Sequence, residues 1–213
     1  MSSNKSRPVK NRTALLPQRS HGKLRFAALL EAGATVIAEK GFEAATMAEI
    51  AAKAHAPIGS LYRFFPNKEI LADALVQRFW ELILEEFEKL NRQVKSLSME
   101  ALAEAFLTLM LEVHGEKLAI RALLEAHTDW SAKRSEFRQA TRRQIAATLR
   151  LRCPKLSPST ARDMAIVILQ NMKTVGVLNQ ELQGKDLSSA LTELREMTRL
   201  YLAARLTPAA KDP

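Results

Sequence analysis

Residues 41–69 read GFEAATMAEIAAKAHAPIGSLYRFFPNKE, and this stretch decides the fold of the N-terminal third of the chain. Thr46 precedes a short apolar run and Glu49 follows three residues later, which is the pattern of a capping box at a helix start. Pro57 is tolerated at the first helical position and predicts a second short helix, which continues from Ile58 to Phe65. Two short helices joined by a break of about three residues indicate a helix-turn-helix.

Helical periodicity continues on both sides of this stretch. A helix is predicted over 23–40, with Gly41 as its stop, and a long helix over about 68–91, with Asn67 as its cap. Five further helices are predicted over about 99–114, 116–128, 131–152, 158–182 and 187–206. No alternating strand pattern accompanies them, so the predicted fold class is all-α, with about nine helices.

The positive charge is concentrated in the first third of the chain. The chain has 32 basic and 23 acidic residues, a net charge of +9. Up to Lys68 there are 11 basic and 4 acidic residues, so this part carries +7 and the remainder +2. The predicted organisation is a disordered basic arm over 1–22, a helix-turn-helix domain over 23–68 and a helical body over 69–213. Charge alone leaves both nucleic acid and an anionic membrane surface open as partners.

Composition and motifs argue against several other classes of protein. No stretch approaches the roughly 18 consecutive apolar residues of a membrane helix, and no apolar segment of a signal peptide follows the basic N-terminus. Cys153 is the only cysteine, so we expect a cytoplasmic protein without a membrane partner. Glycine-rich phosphate loops and nucleophile motifs are absent, and His114, His127 and Asp129 lack a compact metal-ligand spacing. We therefore expect no enzyme activity, no cofactor and no metal.

The stretch over 54–69, from AHAPIGSLYRFF to PNKE, resembles the signature of the tetracycline-repressor family of bacterial transcriptional regulators. Upstream, Gly41, Phe42, Thr46 and the pair Ile50–Ala51 extend the resemblance, which covers about 23–75. It implies a DNA-binding domain over 23–68 and a divergent ligand-binding and dimerisation domain over 69–213. The implied partners are double-stranded DNA, a small-molecule effector and a second copy of the chain.

The second short helix is predicted to read DNA with its first turns, because a recognition helix lies in the major groove. These turns hold Pro57, Ile58, Gly59 and Ser60. Gly59 lets the backbone approach DNA closely, Ser60 hydrogen-bonds with several bases, and Ile58 contacts a thymine methyl group or packs inside the domain. Arg63 contacts phosphate or a guanine edge, or belongs to a solvated face.

Three further residues are predicted to contact phosphates. The resemblance implies this role for the Tyr62 hydroxyl and for Lys68. A lysine at a helix N-terminus is unfavourable, because its positive charge lies at the positive end of the helix dipole. A phosphate bound there would compensate for this repulsion. Thr46 is predicted to cap its helix and to bind a phosphate as well. Substitutions at Tyr62 and Lys68 are expected to weaken the binding of all DNA sequences alike and to leave folding nearly intact.

The body offers candidates for an effector pocket and a dimer interface. Methionines and rings at helical spacing suit an adaptable apolar pocket, although the same pattern also describes an ordinary core. The pocket candidates are Phe106, Met110, His114, His127, Trp130, Met164 and Met172. The last two helices are predicted to form the dimer interface, through Ile166, Leu169, Lys173, Gly176, Leu191, Leu194, Met197 and Tyr201.

These features together predict a sequence-specific transcriptional regulator. The specific hypothesis is a homodimeric repressor that a small-molecule ligand releases from a palindromic operator, since a two-fold protein reads a two-fold site. The alternative is a non-specific or architectural DNA-binding protein, which would bind unrelated duplexes with similar affinity.

Overall fold

The computed structural model describes residue 14 and residues 17–109 and 131–206, with the backbone alone for 131–134. Within these ranges it contains eight helices and no strand, which confirms the all-α class. The helix predicted over 116–128 lies outside the described residues. The described residues form two compact units, which divide after Arg78.

The first unit contains three helices and the start of a fourth: α1 over Ser20–Lys40, α2 over Met47–Lys53, α3 over Ile58–Phe64 and α4 over Lys68–Gln93. Helix α1 begins three residues earlier than predicted, within the segment expected to be a disordered arm. Pro57 is the N-cap of α3 rather than its first helical residue, because its ψ of 137° is extended. Gly41 ends α1 with a φ of 80°, as its position predicts.

Close packing holds this unit together. A β-carbon on Gly33 would lie 2.8 Å from Cδ2 of Leu71, so the glycine lets α1 approach the first turns of α4. The first turns of α4, up to Arg78, therefore pack with the first unit. Phe26 stacks edge-on against Phe64 and tilted against Phe65. The fully buried side chains here include Leu29, Ile37, Phe42, Ile50, Leu61, Phe65 and Leu71.

The second unit contains the rest of α4 and four more helices: α5 over Met99–Leu109, α6 over Ser131–Arg152, α7 over Pro158–Glu181 and α8 over Gly184–Leu206. Ser157 caps α7, because its Oγ accepts a hydrogen bond of 3.1 Å from the amide of Thr160. The last helix begins earlier than the predicted start at about residue 187, because Gly184 is its first residue, with a φ of 57°.

Polar contacts between helices supplement the apolar core of this unit. Arg195 on α8 donates to Glu104 on α5. Thr148 donates to Asn91 over 2.8 Å, and Asn171 donates to Thr198 over 3.1 Å. Among the described residues, no helix combines the length and apolar character needed to cross a membrane.

Candidate nucleic-acid interface

The start of α2 is built by the predicted capping box, which the structure confirms. The amide of Glu49 donates to the hydroxyl of Thr46 over 3.3 Å, and the amide of Thr46 donates to the Glu49 carboxylate over 3.1 Å. The Thr46 hydroxyl itself donates to that carboxylate over 2.9 Å. A hydroxyl has one proton to give, so a phosphate contact donated by Thr46 would require this bond to break.

The same carboxylate links α2 to the end of α1. Lys40 donates to Glu49 over 2.5 Å. The hydrogen bond from Lys40, followed by those from the hydroxyl and amide of Thr46, lowers the pKa of Glu49 to about 2. A second ion pair joins Lys53 to Glu39 over 3.3 Å. These contacts fix the direction in which α2 leaves the loop over 42–46.

A tight turn at His55 sets the angle between α2 and α3. His55 has a φ of 48°, in the left-handed region that few non-glycine residues adopt. The turn is closed by hydrogen bonds from the amides of His55 and Ala56 to the carbonyls of Ala52 and Ala51, over 3.0 Å and 2.9 Å. The sequence thus places a histidine at the position that needs a positive φ.

Helix α3 has a buried side and an exposed side. Leu61 is fully buried, and Phe64 and the following Phe65 are also enclosed by the unit. On the other side, Ile58 is 44% exposed and Tyr62 is 48% exposed. Neither residue is therefore part of the domain core, which removes the packing alternative for Ile58. Pro57, Gly59 and Arg63 are exposed as well, and Ser60 is half-buried.

Gly59 has no packing role within its own unit. A β-carbon built there would meet no atom within 4 Å, so the interior does not require a glycine at this position. Glycine in an exposed helix lowers stability relative to alanine. The packing of the unit therefore does not explain the glycine at this position.

Lys68 has a different environment from the one predicted. Its ammonium group donates to the carbonyls of Phe42, Glu43 and Ala45 over 2.6 Å, 2.9 Å and 3.0 Å. It also lies 4.6 Å from the centre of the Phe42 ring. An ammonium group has three donors, and all three are used within the unit. Lys68 therefore joins the loop after α1 to the start of α4, and the expectation that its loss leaves folding nearly intact does not fit these contacts.

Comparison with known proteins agrees with this geometry. Residues 29–75 match the model of the tetR family of bacterial regulatory proteins. The chain carries a tetR-family domain. This domain is a helix-turn-helix, similar to the DNA-binding domains of bacterial transcriptional regulators. A search of curated protein sequences found no match.

Solved structures of tetR-type regulators share the fold. A transcriptional regulator from Aquifex aeolicus is 22% identical, with a TM-score of 0.65 over 84% of this chain and 98% of that one. A tetR-family member from Streptomyces coelicolor is 17% identical, with a TM-score of 0.62 over 86% and 99%. The multidrug-binding protein EbrR, complexed with imidazole, is 19% identical, with a TM-score of 0.59 over 88% and 98%.

The pocket candidates divide into two groups. Phe106, Met164 and Met172 are buried inside the second unit. The other four, Met110, His114, His127 and Trp130, lie outside the described residues. An aromatic cluster between α4 and α6, outside the pocket candidates, contains Phe137, which stacks on Phe79 and meets the edge of Trp80. The adjacent rings of Phe79 and Trp80 on a long predicted helix were the available signal.

The dimer candidates also separate by exposure. Leu169 and Leu194 are buried by their own unit, and Leu191 packs against the same core. By contrast, Ile166 is 43% and Met197 is 52% exposed. Lys173 is exposed, and Gly176 and Tyr201 are half-buried. Further exposed apolar side chains on α7 and α8, which those candidates did not include, are Val167, Val177 and Leu200.

Proposed function

We propose that this regulator is a homodimeric repressor that binds a palindromic operator through α3 and leaves it when a small molecule binds the second unit. The observation that carries the proposal is the exposed side of α3. Buried Leu61 and Phe64 hold the helix, while Ile58, Gly59 and Tyr62 remain exposed on its outer side. A recognition helix needs this combination, because its side chains must reach base edges without loosening the domain.

The proposed roles follow from chemistry and exposure. Ile58 contacts a thymine methyl group, Ser60 hydrogen-bonds to a base, and Gly59 lets the backbone approach the groove. Tyr62 and Arg63 contact phosphates on either side of these bases. Pro57 positions the first turn of the helix, and Thr46 and Lys68 support the domain from the start of α2 and of α4.

Exposed apolar side chains support the homodimer. Ile166, Val167 and Val177 on α7, and Met197 and Leu200 on α8, are each about two-fifths to one-half exposed. Apolar surface removed from water stabilises an association by roughly 25 cal/mol per Å² before the costs of binding. We propose that a second copy covers these side chains, with Lys173, Gly176 and Tyr201 at the same interface. Such an interface is two-fold, which matches a palindromic DNA site.

The effector response is proposed to pass through α4. This helix is continuous from Lys68 to Gln93, so it belongs to both units. A small molecule held in the second unit, with Phe106, Met164 and Met172 among the pocket side chains, would change the equilibrium between DNA-binding and non-binding states. Binding of the effector would then lower the affinity for DNA, and binding of DNA would lower the affinity for the effector by the same factor.

Selection of bound DNA tests the proposal. Fragments of the source genome are mixed with the purified protein near physiological salt, and the retained fragments are sequenced. Recovery of one palindromic motif supports the specific homodimeric regulator. Equal recovery of unrelated fragments supports the architectural alternative, because phosphate contacts alone carry no sequence information.

Ser60 gives this experiment a matched control. The variant Ser60→Ala keeps the fold, because Ser60 makes no side-chain hydrogen bond within the described residues and its side chain is small. If α3 reads bases, the motif selected by Ser60→Ala differs from that of the wild type at one position in each half-site. An unchanged motif would remove Ser60 from the reading surface.

A further inference from the structure

Helix α6 is strongly basic, although the second unit is nearly neutral as a whole. The helix has 22 residues, of which seven are basic and one, Glu136, is acidic. Two arginines on α8 have partners: Arg195 pairs with Glu104, and Arg199 pairs with Glu196 over 2.6 Å. Two arginines of α8 thus have carboxylate partners, whereas over residues 135–152 of α6 no arginine forms an ion pair.

Three cations meet where α6 packs along α7. Arg138 and Arg142 lie one helical turn apart on α6, and both are half-buried. Lys173 on α7 is close enough that its pKa is lowered, first by partial burial and then by the charges of Arg138 and Arg142. Within residues 17–109 and 131–206, none of the three forms an ion pair or a hydrogen bond through its side chain.

This arrangement opposes folding as it stands. Like charges at positions i and i+4 destabilise a helix, and a third charge with reduced solvation adds to the repulsion. A solvated charged face avoids these costs because its side chains spread into water. Here Arg138 and Arg142 are half-buried on the helix that packs along α7, and their charges act on Lys173 of α7, so the three charges are held near one another.

We infer that Arg138, Arg142 and Lys173 form a binding site for a small oxyanion with at least two negative charges, such as a phosphate ester or a polycarboxylate. Two guanidinium groups offer paired N–H donors that match the oxygens of phosphate and carboxylate, and the ammonium group adds a point charge. The site lies within the second unit and does not depend on the DNA interface. Lys173 is also placed at the proposed homodimer interface, so the variant of Arg142, which lies outside that interface, tests the site independently of it.

Anion titrations of the full chain test this site. Pyrophosphate and citrate serve as probes in calorimetry at constant ionic strength, with chloride as the reference salt. We expect saturable binding of at least one probe to the wild type. The variants Arg142→Gln and Lys173→Gln are each expected to weaken it about tenfold, the effect of losing one charge-assisted hydrogen bond.

The control variant is Arg150→Gln, because Arg150 is exposed on the same helix but away from the cluster. It is expected to bind the probe like the wild type. Equal weakening in Arg150→Gln, or no probe binding beyond that of chloride, would overturn the inference. As a measurement that needs no variant, the pKa of Lys173 should rise when the probe is added to wild-type protein, and an unchanged pKa would also count against the site.

Discussion

Tyr62 and Lys68 are close in the sequence, and the family resemblance implies a phosphate contact for both, but the structure treats them differently. Tyr62 is 48% exposed, so its outer part is available to a partner. Lys68 uses all three donors on the carbonyls of Phe42, Glu43 and Ala45. Residue type and sequence position therefore do not show whether a residue binds DNA or supports the fold. The hydrogen bonds that the residue already makes within the fold distinguish the two roles.

The largest expected effect is at Lys68. Lys68→Met keeps the apolar stem over Phe42 but removes the three donors, and it should lower the free energy of unfolding of the first unit by about 2 kcal/mol. Chemical denaturation measures this change. Lys53→Ala, which removes an exposed ion pair, is the control and should have a much smaller effect.

The salt dependence of DNA binding by Lys68→Met tests whether Lys68 also contacts a phosphate. Under conditions in which Lys68→Met is folded, its DNA affinity should depend on salt with the wild-type slope, because no phosphate contact has been lost. A slope reduced by about one would mean that Lys68 neutralises a phosphate on DNA, and that it exchanges carbonyl partners for it.

Tyr62→Phe should show the opposite behaviour. Loss of the hydroxyl should weaken binding about fivefold, and to the same extent for different DNA sequences, because one hydrogen bond to the backbone is removed. Stability should change by less than about 0.5 kcal/mol, since the hydroxyl is at an exposed position. Fluorescence anisotropy with two unrelated duplexes measures the first effect. A loss confined to one duplex would assign Tyr62 to base reading instead.

At Gly59, one substitution should raise the stability of the fold and lower its affinity for DNA. Gly59→Ala should raise the free energy of unfolding by about 0.5 kcal/mol, as alanine favours helix and the new β-carbon meets no atom. It should also lower affinity for DNA, since the methyl group would hold the backbone away from the groove. Unchanged DNA affinity in Gly59→Ala would show that the backbone does not approach the bases.

The smallest expected effect is the pH dependence of the capping box. The pKa of Glu49 falls from 4.5 to about 2 on folding, so its charge stabilises the fold above about pH 4.5, and this contribution disappears as the pH falls towards 2. Glu49→Gln keeps the capping pattern but removes the charge. The variant should be slightly less stable than the wild type at neutral pH and equally stable near pH 2. A difference that persists at pH 2 would point to the geometry of the cap instead of its charge.

Local features of the first unit could be predicted from the sequence because their causes are local. The capping box at Thr46 and Glu49, the stop at Gly41 and the cap at Asn67 each involve residues within one helical turn. The positive φ of His55 follows from its place in a tight turn. The family resemblance identified the helix-turn-helix, since its motif lies within one continuous stretch.

Other features depend on contacts between distant residues. The partners of Lys68 come from the loop before α2, and Glu104 is paired with Arg195 on the last helix. Helical spacing also could not show which apolar face of α7 and α8 is covered. Leu169 and Leu194 are enclosed, whereas Ile166 and Met197 are exposed, although all four fit the same periodicity. The packing of the helices determines which apolar face is covered, and this packing cannot be derived from the spacing of residues in one sequence.

The hydrogen bonds of the Lys68 ammonium group affect how a movement of α4 reaches the helix-turn-helix. It holds the first turn of α4 to the loop over 42–45, and Thr46 and Glu49 hold that loop to α2. Displacement of the start of α4 must therefore carry the loop and α2 with it, unless three hydrogen bonds break together. The start of α4, the loop and α2 would therefore move as one rigid body. Regulation would then change the position of the helix-turn-helix without changing its internal structure.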